Sequence, residues 1–139
     1  MTALALRCLA IPLLLLLPLC AARAEGPMIV DSAEIYCTDA ARPGFSSFGV
    51  QYARQMPNHF GGGLAFCRVD MQPLSGPQGG ATVGWSHDAA SGTTTLWCRA
   101  RAGATAGESA EVRARFALHA IAAGTTHPAC SPAREGRLP

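Results

Sequence analysis

The sequence predicts an all-β fold: a small, disulfide-stapled antiparallel β-sandwich or barrel of about six strands, set behind a signal peptide. Three observations lead there. The N-terminus has the form of a secretory leader, four evenly spaced cysteines remain once that leader is removed, and short stretches of strict apolar/polar alternation are separated by glycine- and proline-rich turns.

The leader comes first. Arg7 precedes an apolar stretch from Cys8 to Cys20 with five consecutive leucines, and Ala22-Arg23-Ala24 supplies the small-x-small pattern read by a signal peptidase. Residues 1–24 are therefore read as a signal peptide, with the mature chain starting near Glu25 and its destination secreted or periplasmic. A membrane anchor competes poorly, because the run holds Pro12 and Pro18 and falls short of the ~20 residues a spanning helix needs. Lipid attachment at Cys20 would want a small residue before the cysteine, and Leu19 is not small.

Removal of the leader also changes the charge. The chain has 11 basic residues, all arginine, against 9 acids, and Arg7 and Arg23 leave with the leader. The mature chain is thus formally neutral, which argues against a nucleic-acid partner, since phosphate binding calls for a concentrated basic surface.

Cys8 and Cys20 leave as well, so Cys37, Cys67, Cys98 and Cys130 remain. An even number in a short exported chain reads as disulfides. Metal binding would need close-set ligands, whereas these cysteines stand about thirty residues apart, so no metal and no cofactor is expected. Among the three possible pairings, the expectation is Cys67 with Cys98 inside the sheet and Cys37 with Cys130 tying the tail to the first strand.

Strands are expected at Met28 to Cys37, Phe48 to Arg54, Leu64 to Met71, Ala81 to His87 and Thr93 to Ala102. The last is the clearest: Leu96, Cys98 and Ala100 share one face, and Thr95, Trp97, Arg99 and Arg101 the other. Asp88-Ala-Ala-Ser-Gly92 turns the chain between it and its hairpin partner. Ala41-Arg-Pro-Gly44, Met56-Pro-Asn58, Gly61-Gly-Gly63 and the stretch Pro73 to Gly80 supply the other turns. Glu111 to Ala123 has helix caps available in Ser109 and Gly124, but its unbroken alternation favours a strand with Phe116 and Leu118 buried. Residues 25–124 are read as a single β domain. Residues 125–139 form a polar tail tied by Cys130, with disorder expected beyond that cysteine.

Three of the four mature cysteines directly follow an aromatic residue: Tyr36-Cys37, Phe66-Cys67 and Trp97-Cys98. If the cysteines face the core, strand parity turns Tyr36, Phe66 and Trp97 outward and brings Arg68, Arg99 and Arg101 to that side, with Arg113 and Arg115 joining them. Aromatic rings and guanidinium groups suit a sugar, an anionic glycan or an acidic protein. The competing reading is a solvated face whose arginines pair weakly with Asp70, Glu108 and Glu111.

Catalytic patterns are weak. His59, His87, His119 and His127 form no H-E-x-x-H spacing. Trp85-Ser86-His87-Asp88 holds triad residue types, but triads are assembled by the fold and not from sequence neighbours. His59-Phe60-Gly61-Gly62-Gly63 resembles an oxyanion loop but lacks the G-x-S-x-G elbow that accompanies one.

The sequence therefore favours a non-enzymatic exported module that recognises a protein or glycan partner through Trp97, Arg99, Arg101, Tyr36, Phe66 and Arg68. A small hydrolase using His87 with Asp88 or Asp70 is the first alternative. A structural subunit of an envelope or surface assembly is the second, and it would show an unpaired strand edge.

Overall fold

A computed structural model describes residues 26–41 and 49–138. The expected signal peptide, the stretch Arg42 to Gly44 and Phe48 lie outside the described residues. Seven strands follow one another: β1 (Met28–Ala40), β2 (Val50–Met56), β3 (Leu64–Gln78), β4 (Thr82–Asp88), β5 (Thr93–Ala100), β6 (Ser109–Ala122) and β7 (Glu135–Leu138). They form two antiparallel sheets, one ordered β1-β6-β3 and the other β2-β5-β4-β7. Among the described residues both sheets keep free edges, so the fold is a sandwich and not a closed barrel.

The pairing is nested. β1 pairs with β6 from Met28↔Ala120 to Ala40↔Ser109, and inside that span β2 pairs with β5 from Val50↔Ala100 to Met56↔Thr94. This is the kind of wrapping that jelly rolls use.

Alternation explains the layers. In β6, Val112, Ala114, Phe116 and Leu118 are all 0% exposed while Arg113 and Arg115 face solvent, so the alternation wins over the helix-capping signals at its ends. Ile35 from β1 joins them, and Val83, Trp85 and Leu96 face them from the other sheet. Fully burying one such side chain stabilises the fold by about 1.5–3 kcal/mol. Thr94, also 0% exposed, accepts or donates a 3.0 Å hydrogen bond with His87 Nδ1, which satisfies a polar pair inside the apolar layer.

The β4–β5 turn shows how local chemistry sets the hairpin. Asp88 accepts hydrogen bonds from the Ala90 and Ser91 amides and the Ser91 hydroxyl, and Gly92 takes φ 70°, which a residue with a Cβ adopts only with strain.

Four expectations are corrected. The disulfides join Cys37 to Cys98 and Cys67 to Cys130. Cys37 and Cys98 sit on the inner faces of opposing sheets, so that bridge crosses the core with a Cα separation of 6.0 Å. Cys67 lies in the other sheet from Cys98 and is the extra residue of a bulge between Phe66 and Arg68 in the pairing of β3 with β6.

That bulge also overturns the parity argument for Phe66. It pairs with Ala120 and packs against the core, stacked on His87 at 4.0 Å between ring centroids.

The stretch Pro73 to Gly80 is not a turn until its end, because β3 runs on to Gln78. β3 is an edge strand, where proline's missing N–H costs no ladder bond, and register shifts after Pro73 and Ser75 absorb the irregular residues.

The tail is ordered beyond Cys130. Ser131 donates its amide to the Cys67 carbonyl, and residues 135–138 form β7 beside β4. Gly136 lies under Trp85, where a Cβ would collide with the indole nitrogen. The tail therefore passes from one sheet to the other around the rim, fixed by Cys67–Cys130 at its start.

Candidate functional site

The outward face of the four-stranded sheet is built around Trp97. Its cross-strand neighbours are Ala53 on β2 and Gly84 on β4, both small. A Cβ placed on Gly84 would lie 2.5 Å from Trp97 Cζ2 and 2.6 Å from the Gly136 carbonyl oxygen. The indole therefore lies against the β4 backbone in a space that only glycine leaves open. The ring is half-buried, and the Arg99 guanidinium carbon is 5.4 Å from its centroid.

Register gives the surroundings. One row along the strands, Gln51, Arg99 and Thr82 stand side by side, and one row the other way stand Gln55, Thr95, Ser86 and Glu135. Arg137 on β7 lies opposite Gly84, in the same row as Trp97. A single aromatic plate is thus set among amides, hydroxyls and guanidinium groups. Such a surface can stack an apolar face and hydrogen-bond to hydroxyl or carboxylate groups at its rim.

The other expected site residues do not join it. Tyr36 belongs to the outward face of the three-stranded sheet, where it is 50% exposed and its hydroxyl donates to Glu111 at 3.5 Å. It lines a shallow groove of about 500 Å³ with Glu34, Ser75, Glu111 and Arg113. The polar groups of this groove largely satisfy one another: Arg113 pairs with Glu34, Arg115 reaches the same carboxylate at 3.5 Å, and Ser75 donates to Glu111 at 3.0 Å.

Arg68 is engaged too, through a 3.2 Å hydrogen bond to Asp70 and a 2.9 Å hydrogen bond to the Ala129 carbonyl beneath the tail. His119 Nε2 lies 2.9 Å from Asp70 in the same cluster, within ion-pair range but out of line for a hydrogen bond. Phe66 sits between the sheets. Of the expected set, Trp97 and Arg99 are in contact on this face, and Arg101 is exposed just past the end of β5.

The residues of the hydrolytic alternative are placed apart. His87 points into the sandwich toward Thr94, and Phe60 and Phe66 pack on its ring. Its pKa is held below the ordinary 6.5 by burial first and by the Arg134 charge second, with Asp88 opposing weakly. Asp88 faces the turn, where the Ser91 hydroxyl and then the Ala90 amide hold its carboxyl below the usual range. Asp70 belongs to the Arg68 cluster on the other sheet. Among the described residues no group of three or more His, Cys, Asp or Glu side chains is arranged to hold a metal ion.

Gly84, Ala53, Gln51, Gln55 and Arg137 escaped the sequence reading because they meet Trp97 only through register. A glycine inside an alternating strand was the one available signal, since it marks close approach by another group. No protein-family model, curated protein or solved structure matches the chain at a significant level.

Proposed function

We propose that this is a non-catalytic exported binding module, and that it engages a glycan through the face carrying Trp97, Arg99 and Arg101. The observation that carries the reading is the indole laid over Gly84. A ring braced against its floor, with hydrogen-bonding side chains around it, pays little ordering entropy when a sugar stacks on it. The two disulfides fit folding in an oxidising environment, and the secreted or periplasmic destination belongs to the same proposal.

A panel of immobilised polysaccharides probed with the oxidised protein and with a Trp97→Ala, Arg99→Ala double variant tests the reading. Retention of the parent and loss for the double variant, with both disulfides and the far-ultraviolet spectrum unchanged, is the expected result. If the double variant keeps every interaction of the parent, the face is not the binding site.

A second reading, as a subunit of a surface assembly, draws on β2. Val50 and Tyr52 lie on the inner side of that free edge strand yet are 40% and 49% exposed, so an added strand or a second chain would find both apolar surface and unpaired backbone there. A concentration-dependent mass above that of the monomer, lost on Tyr52→Glu, would support it.

A further inference from the structure

We infer that the ligand of the Trp97 face is an acidic glycan, one whose sugar rings carry carboxylate or sulfate groups. The inference rests on the proposed Trp97 platform and adds to it the chemical class of the ligand.

The arginines of the two outward faces differ in how they are engaged. On the three-stranded sheet, Arg68 is paired with Asp70, and Arg113 and Arg115 are paired with Glu34. On the four-stranded sheet, Arg99, Arg101 and Arg137 have no acidic partner within 4.0 Å among the described residues, and all three are exposed. The Arg99 guanidinium lies over the indole.

Their positions suit a chain of sugars lying across the strands. Arg99 is two residues along β5 from Trp97, about 7 Å, and Arg137 is two strands across from it, about 10 Å. These are backbone spacings, and the Arg99 guanidinium itself lies over the indole, 5.4 Å from its centroid, so a sugar that takes its place on the ring would have the guanidinium groups of Arg99 and Arg137 within side-chain reach. Each could form the paired N–H···O bonds that guanidinium makes with a planar carboxylate.

The acids nearest this face stand in other rows or are already engaged. Glu135 lies opposite Ser86, one row from Trp97 and two residues along β7 from Arg137, Asp88 lies opposite Thr93, and Asp39 accepts the Ala102 amide at 2.8 Å beside Arg101. Asp88 is already committed to its turn. The row of Trp97, Ala53-Trp97-Gly84-Arg137, and the row of Arg99, Gln51-Arg99-Thr82, carry no acid, so the guanidinium groups flanking the indole are unopposed within their own rows.

Binding to polygalacturonate, to its fully methyl-esterified form, to heparin and to polyglutamate, measured by calorimetry on the oxidised protein, tests the inference. The ester keeps the sugar backbone and removes only the charge, and polyglutamate keeps the charge and removes the ring. The expected result is binding to polygalacturonate, or to heparin if sulfate is the preferred anion, at least about tenfold tighter than to the ester or to polyglutamate. Trp97→Ala should abolish it and Arg99→Ala with Arg137→Ala should weaken it about tenfold or more. Arg113→Ala with Arg115→Ala, the same loss of charge on the opposite sheet, should leave it unchanged.

Equal binding of the acidic glycan and its ester, both lost in Trp97→Ala, would overturn the acidic class while leaving the platform in place. Binding of polyglutamate as tight as that of the glycans, indifferent to Trp97→Ala, would overturn both in favour of simple charge attraction. Absence of binding to any of the four polymers would overturn the inference, and with no neutral glycan bound either, the platform as well.

Discussion

Replacing Cys37 and Cys98 together by alanine should lower the unfolding free energy by about 4 kcal/mol. The bridge spans 61 residues, and for a loop of that length the chain-entropy relation removes about 14 cal/mol/K from the unfolded ensemble, or about 4 kcal/mol at 25 °C. Both cysteines are at most 1% exposed, so the loss of two sulfur atoms from the core adds to this figure. Urea denaturation of the parent and the double variant, followed by the fluorescence of Trp85 and Trp97 together, reads it out. With a slope near 1.5 kcal/mol/M the midpoint should fall by about 2–3 M. Removing Cys67 and Cys130 opens a loop of almost the same length, 63 residues, and entropy alone gives it the same cost. Its native-state effect should differ, because that bridge anchors the passage leading to β7. Hydrogen exchange should therefore rise at residues 135–138 in the second variant and stay near the parent level in the first. A loss under about 1 kcal/mol for the first variant, or a proteolytic map joining Cys37 to a different cysteine, would refute the cross-core assignment.

Three further outcomes are expected. Gly84→Val should drive the indole of Trp97 off β4, raising its collisional quenching by iodide and weakening glycan binding, at a stability cost of about 1–3 kcal/mol from overpacking; unchanged quenching would mean that the ring does not rest there. His87, with its folded pKa held below 6.5, binds fewer protons folded than unfolded, so its contribution is fully present above pH 6.5 and is lost as pH falls from there through the folded value. The slope should not exceed about 1.4 kcal/mol per pH unit, and His87→Gln should flatten that part of the thermal stability profile. Phe116→Ala, at a position 0% exposed, should cost about 3–5 kcal/mol in the same urea assay, whereas Arg115→Ala next to it should change stability by under about 1 kcal/mol.

Where one strand's own alternation decides the outcome, the sequence is readable. Thr93 to Ala100 and Ser109 to Ala122 present the faces that their residue order implies, and Trp97 with Arg99 falls on the outward side for that reason. What escapes is whatever depends on a second strand. The partner of Cys37 follows from which sheet stacks on which, and Phe66 turns inward because one extra residue in β3 resets the parity. β7 has the sequence Glu-Gly-Arg-Leu, with little strand preference of its own, and forms because β4 offers an edge and Cys130 delivers the chain to it. Arg137 was hidden with it, and Gly84 could be seen as unusual without revealing that Trp97 occupies its space.

The two bridges are interlaced: among the four cysteines of the described residues, the first joins the third and the second joins the fourth. A chain delivered N-terminus first exposes Cys37 and Cys67 to oxidants before either native partner has appeared. The earliest bond open to it is thus one that the finished protein does not contain. β1 is in the same position, since its partner β6 is made about eighty residues later. Oxidation that keeps pace with delivery would lock in an error that thiol exchange must then undo, whereas oxidation that waits for Cys98 lets the stacking sheets choose the pairs. For a chain that meets oxidant as it emerges, the timing of oxidant access, as much as its presence, would decide the yield of native molecules.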